Sequence, residues 1–152
     1  MSRFLRLAVS AAVLGALVLG SVSATIAGGS KVLDARMVGI PTNGLVLHGI
    51  AGGGVPWAID EGRAKLFADG RLQVEVRGLV VASSGINPVA TGRAIVTCSS
   101  VAVASTDAVQ FSRAGDADVD TTINLPSTCL APAVFFAGVT GQGDRWFAVT
   151  GS

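Results

Sequence analysis

The chain has 152 residues, half of them hydrophobic, and its 11 basic and 10 acidic side chains leave a formal net charge of +1. A nucleic-acid-binding domain concentrates positive charge on one face, so this near-neutral balance argues against a nucleic-acid partner and against a polybasic membrane-surface binder. With a single histidine and two cysteines, the composition also argues against a zinc site.

Residues 1–24 have the pattern of a secretory signal peptide. Two arginines precede an uncharged apolar run over residues 7–19, and small residues follow. We predict cleavage after Ala24, with Ala27 as the alternative site. The apolar run is shorter than the roughly 20 residues that a membrane-spanning helix needs. The chain is therefore predicted to be exported, as a secreted or cell-envelope-associated protein with no membrane span after cleavage.

The processed chain, residues 25–152, is predicted to form one domain that carries nine basic and ten acidic residues. Its two cysteines, Cys98 and Cys129, are expected to form a disulfide, because an exported protein with two cysteines has only one pairing open to it. The bridge would close a loop of about 30 residues and, by chain entropy, contribute roughly 3–4 kcal/mol of stability. There is no C-x-x-C motif that would indicate a reactive pair.

Short apolar or alternating runs, separated by Gly, Pro, Asn and Ser, predict an all-β domain. The predicted strands, in chain order, are Lys31–Val38, Leu45–Ile50, Arg63–Ala68, Arg71–Val81, Arg93–Cys98, Val101–Ser105, Ala117–Leu125, Ala133–Val139 and Arg145–Thr150. Their regular spacing favours a single Greek-key, immunoglobulin-like β-sandwich of about seven to nine strands. The glycine-rich residues 49–56 lack the ending of a phosphate-binding loop and are interpreted as a flexible connection.

The stretch KLFADGRLQVEVRGLV, residues 65–80, predicts a hairpin. The length of its turn can be inferred from the faces on which each possible pairing would place the apolar and charged side chains. A two-residue turn at Asp69-Gly70 would place charged and apolar side chains on the same face. A three-residue loop over residues 68–70 instead sets Leu66 opposite Leu72 and gathers the apolar side chains on one face. We favour this second register, which requires a positive φ at Gly70.

Three aspartates are the sharpest candidate for a metal site. Residues 116–125 alternate strictly, with Asp116, Asp118 and Asp120 on one face. Closely spaced carboxylates resemble the start of a calcium loop, but the glycine and the distal glutamate of an EF-hand are absent. Side chains two residues apart on a strand stand about 6.6 Å from one another, too far to converge on one ion unaided. A solvated face that discourages edge-to-edge pairing is the favoured interpretation.

Three further side chains are candidates for chemistry or binding. His48 is predicted to lie within a strand, and a small hydrolase that uses it is one alternative, although no nucleophile motif accompanies it. Trp57 and Trp146 could stack against sugar rings if both were exposed on one face, which would indicate a carbohydrate-binding module. The competing interpretation is that both tryptophans fill the core.

Two longer segments and the cysteine spacing carry a family resemblance. The segments VPWAIDEGRAKLFADGRLQVEVRGLV and GINPV, together with Cys98 and LPSTCLAPAVFF, resemble a group of small exported proteins of high-GC Gram-positive, actinobacterial bacteria. The resemblance covers most of the processed chain. It implies export and an all-β domain, and it transfers no catalytic or ligand-binding residue.

The sequence as a whole predicts a non-enzymatic module that binds a ligand or has a structural role, with no cofactor. The sequence does not identify its partner, and the candidates are cell-envelope components and a second copy of the chain. A carbohydrate- or calcium-binding module and a hydrolase that uses His48 are the alternatives.

Overall fold

The computed structural model describes residues 29–151, so the predicted signal peptide lies outside the described residues. Thirteen β-strands and no helix occur in this part of the chain, which therefore contains no helix that could cross a membrane. The strands are β1 (Lys31–Gly39), β2 (Val46–Leu47), β3 (Ile50–Ala51), β4 (Trp57–Ala58), β5 (Glu61–Phe67), β6 (Arg71–Arg77), β7 (Val80–Val81), β8 (Thr91–Cys98), β9 (Val101–Ser105), β10 (Val109–Gln110), β11 (Ala117–Thr122), β12 (Ala133–Thr140) and β13 (Gly143–Thr150).

Nine of these strands form one curled antiparallel sheet that folds into two facing layers. Its order is β10-β8-β12-β13-β1-β5-β6-β11, and β9 also pairs with β8. Strand β1 belongs to both layers, because residues 31–36 pair with β5 and residues 37–39 pair with β13. The predicted all-β, sandwich-like fold is confirmed.

The main core lies between the two layers. The first layer contributes alternate side chains of β5, β6 and β11, such as Leu66, Val74 and Val119, and the second contributes Val96 and Phe136. Successive residues of a strand point to opposite faces. The first layer therefore buries one face and exposes the other, which is the alternation seen in its sequence.

The second layer is buried on both faces. A second apolar cluster lies on its outer side and is covered by the short β2–β3 hairpin. Its buried members are Ile40, Ile95, Phe135, Ala137, Trp146 and Val149. This double burial explains why β8, β12 and β13 read as nearly continuous apolar runs.

The hairpin formed by β5 and β6 has the predicted register, in which the apolar side chains share one face. Leu66 lies opposite Leu72, the loop spans three residues, and Gly70 has a φ of 86°. The side chain of Phe67 remains on the outer face, where the Arg71 guanidinium carbon lies 4.3 Å from its ring centroid.

The predicted strand Leu45–Ile50 is wrong. This segment forms the β2–β3 hairpin, and His48 and Gly49 occupy its turn with φ values of 50° and 77°. Two consecutive positive φ values are typical of a type I′ turn, which matches the twist of the flanking strands. The structure also contains two-residue strands that the sequence pattern did not predict, among them Trp57–Ala58, which pairs with Val80–Val81.

The predicted disulfide is confirmed. Cys98 ends β8 and is bonded to Cys129, with 5.0 Å between their α-carbons. The bridge ties the end of the second layer to the irregular segment that follows β11.

Candidate functional site

The three aspartates of the predicted metal candidate each have a different partner. The Asp116 carboxylate accepts hydrogen bonds from the Gly78 N–H and the Ser112 hydroxyl. Asp118 forms an ion pair with Arg77 at 2.8 Å, and Asp120 accepts a 3.3 Å bond from Gln73. Within residues 29–151, no group of three or more His, Cys, Asp or Glu side chains is arranged to hold a metal ion. The alternation of β11 therefore produces a paired outer face rather than a converging carboxylate cluster.

The outer face of the first layer is crossed by further ion pairs. Asp34 accepts hydrogen bonds from Arg63 at 2.7 Å and from Lys31 at 2.6 Å. The hydrogen bond from Arg63, followed by that from Lys31, holds the pKa of the Asp34 carboxyl well below its usual range. Opposite charges thus lie beside one another on this face.

His48 lies in the β2–β3 turn and not in a strand. Its Nδ1 is 2.8 Å from the Oγ1 of the buried Thr97, and its ring meets that of Phe135 edge-on, with 5.4 Å between the ring centroids. Among the described residues, its hydrogen-bond partner is a threonine and not the serine and aspartate that the hydrolase alternative requires. This contact fastens the hairpin over the second apolar cluster.

Both tryptophans are buried. The exposed fraction of Trp57 is 4% and that of Trp146 is 1%, and the two belong to different apolar clusters. The Trp146 indole N–H donates to the Ile50 carbonyl at 3.0 Å. The two rings therefore do not form the exposed sugar-stacking face that the carbohydrate-binding alternative needs.

A groove opens where the main core reaches the surface, at one end of the sandwich. Its volume is about 700 Å³. Its floor is formed by Trp57 and Phe147, whose rings stack with 3.8 Å between centroids and an interplanar angle of 13°. The walls come from three segments that are distant in sequence, which are residues 52–55, residues 81–89 and residues 140–145. We call this feature the core-end groove.

The glycine-rich wall of the core-end groove lies directly against the aromatic floor. A β-carbon on Gly53 would stand 2.6 Å from the Phe147 ring and 2.7 Å from Trp57 Nε1, closer than real β-carbons approach other atoms. The Gly53 N–H donates to the Trp146 carbonyl at 3.0 Å, which holds the wall in position. Within the segment interpreted from the sequence as a flexible connection, Gly52 and Gly53 are thus required by close packing, whereas Gly49 and Gly54 have open space around them and a positive φ.

The opposite wall is held by a buried asparagine. The Asn87 side-chain amide donates to the Val89 and Ser112 carbonyls at 2.7 and 2.8 Å, and its oxygen accepts from the Val89 N–H at 2.8 Å. These bonds fix Pro88 and Val89 where they line the core-end groove. Hydrogen bonds within the fold therefore hold these two wall segments in place.

The polar side chains that line the core-end groove come from one hairpin. Thr140, Gln142 and Arg145 belong to the β12–β13 hairpin, and the lining contains no acidic residue. Arg145 precedes Trp146 in β13, so its side chain points away from the second apolar cluster. The groove consequently has a positive end and an otherwise uncharged surface.

Comparison of the chain with protein-family models, with curated proteins and with solved structures found no match. The core-end groove was missed by the sequence analysis, although three consecutive glycines followed by Val55, Pro56 and Trp57 were a usable signal. Such a run indicates close approach of the backbone to a bulky side chain.

Proposed function

We propose that this chain is an exported, non-enzymatic β-sandwich module that binds a small ligand in the core-end groove. The observation that carries the proposal is a preformed concave site, with an apolar floor and a few polar groups at one end. Ligand sites in proteins generally have this composition, and volumes of about 300–1,000 Å³ are typical of them.

The secreted or envelope-associated location is part of the proposal. Support comes from the predicted signal sequence, and the Cys98–Cys129 bridge is compatible with an oxidising compartment. The predicted actinobacterial resemblance agrees with export. Cell-envelope components remain the proposed source of the ligand.

The core-end groove is a better candidate than the other sites that the sequence suggested. The aspartates of β11 are engaged by separate partners, and the two tryptophans lie in separate clusters. His48 contacts Thr97 and Phe135. Asp118 and Asp120 do line a depression on the outer face, but its volume is about 270 Å³, smaller than the core-end groove, and its lining mixes acidic and basic side chains.

A fragment screen by NMR on the processed chain, residues 25–152, tests the proposal. Fragments of neutral, anionic and cationic character are added to the ¹⁵N-labelled protein, and amide shifts are mapped on the structure. We expect the shifted amides to cluster on residues 53–55, Val89 and residues 140–142. Absence of hits, or hits confined to other surfaces, would refute the proposal.

Two valine substitutions provide the matched comparison. Val55→Arg places a bulky charge in the wall of the core-end groove, where Val55 is 41% exposed. Val46→Arg makes the same change at a 59% exposed valine that does not line the groove. Fragment binding should be lost in the first variant and kept in the second. Equal binding by both variants would also contradict the proposal.

A further inference from the structure

We infer that the core-end groove takes an amphiphilic monoanion, specifically an acyl chain that ends in one carboxylate. The inference rests on the proposed function and adds the chemical class and the orientation of the ligand. The carboxylate would lie at the β12–β13 hairpin, beside Arg145, and the chain would lie along the apolar walls.

The charge of the lining favours an anion. Arg145 is the single charged side chain that lines the core-end groove. In the part of the chain that the structure describes, Arg145 forms no ion pair, whereas the neighbouring Asp144 lies 3.7 Å from Arg93 on the other face of the sheet. A guanidinium offers five N–H donors in a fork that matches one carboxylate. One arginine suits a single negative charge better than a polyanion.

The lining of the groove can donate hydrogen bonds but carries no anion. Gln142 lines it beside Arg145, and no acidic side chain is present in the lining. The site therefore offers donors and no carboxylate of its own.

The distribution of polar groups favours an acyl chain over a peptide. Beyond the glycine backbone, the walls outside the β12–β13 hairpin present Val55, Val81, Pro88 and Val89. A peptide carries an amide at every residue, and each amide that leaves water needs a partner. An acyl chain requires polar contacts at its head only, which is how the side chains of this groove are arranged.

Titration calorimetry with eight-carbon probes tests the inference on the processed chain. Octanoate, octanol and octylammonium share one chain and differ in the charge of the head. We expect octanoate to bind at least tenfold more tightly than octanol and octylammonium to bind most weakly. Equal affinity for octanoate and octanol would overturn the inference, while binding of octanol in the groove would leave the proposed function standing.

Two arginine variants locate the carboxylate. Arg145→Gln should reduce octanoate affinity tenfold or more and leave octanol affinity unchanged. Arg113→Gln removes a charge from an exposed arginine outside the core-end groove and should change neither affinity. Loss of octanoate affinity in both variants, or in neither, would overturn the assignment. Tighter binding of acetyl-leucyl-leucine than of octanoate would overturn the choice of an acyl chain.

Discussion

Replacement of Gly53 by alanine probes the contact between the glycine-rich wall and the aromatic floor. The added methyl group would stand 2.6 Å from Phe147 and 2.7 Å from Trp57 Nε1. The two rings are stacked and buried, and the backbone N–H of Gly53 is bonded to the Trp146 carbonyl, so neither side can yield freely. Overpacking of this kind costs about 1–3 kcal/mol.

Urea unfolding of the oxidised processed chain measures this cost. A single domain of this size is expected to unfold in one cooperative transition, which permits a comparison of free energies of unfolding. Gly141→Ala is the control, because its methyl group would meet no atom within 4 Å and its backbone has no positive φ. The control should remain within about 0.5 kcal/mol of the native chain. If Gly53→Ala is as stable as the control, the described packing of the wall on the floor is wrong.

Three further predictions concern the parts of the fold that hold the groove in place. Gly70→Ala should destabilise the domain more than Gly85→Ala. Both glycines have a positive φ, which costs a non-glycine residue roughly 1–2 kcal/mol. Only at Gly70, however, would the added methyl group also meet a backbone carbonyl. Equal urea midpoints would contradict this. Replacement of both Cys98 and Cys129 by serine should lower the free energy of unfolding by about 3–4 kcal/mol, and an unchanged midpoint would exclude a stabilising bridge. The Asp34 carboxyl has a lowered pKa in the folded state, so its contribution is present above the ordinary carboxyl pKa and is lost as the pH falls below about 4. The stability gap between the native chain and Asp34→Asn should therefore close on acidification, and a gap that is constant from neutral to acidic pH would contradict the ion pair.

The first layer of the sandwich was predictable because each of its strands buries one face. Alternation with period two assigns Leu66, Leu72 and Val119 to the core without knowledge of the rest of the chain. The same periodicity fixes the register of the β5–β6 hairpin, since a slip of one residue would expose the whole apolar set.

The second layer was harder to interpret because both of its faces are buried. An unbroken apolar run does not show which side chains point to which face of the sheet. The β2–β3 hairpin that covers the outer face is itself apolar. The turn at His48 requires a positive φ, which is uncommon at any residue other than glycine. Its position depends on contacts with Thr97 and Phe135, which lie far away in sequence.

The core-end groove could not be predicted from local pattern at all. Its walls come from residues 52–55, 81–89 and 140–145, which are distant in sequence and are brought together only by the tertiary fold. The sequence offered the same two interpretations, sugar stacking or core packing, for Trp57 and Trp146, yet the two side chains lie in different environments. One stacks on Phe147 under the glycine wall, and the other closes the second cluster beside Ile50.

The indole N–H signals of the two tryptophans provide the most direct test that ligands enter the core-end groove. In a ¹⁵N–¹H spectrum of the processed chain, Trp57→Phe and Trp146→Phe assign the two signals. Addition of octanoate should move the signal of Trp57, which lies at the floor of the groove, and leave the hydrogen-bonded signal of Trp146 in place. Movement of the Trp146 signal alone, or of neither signal, would contradict the account.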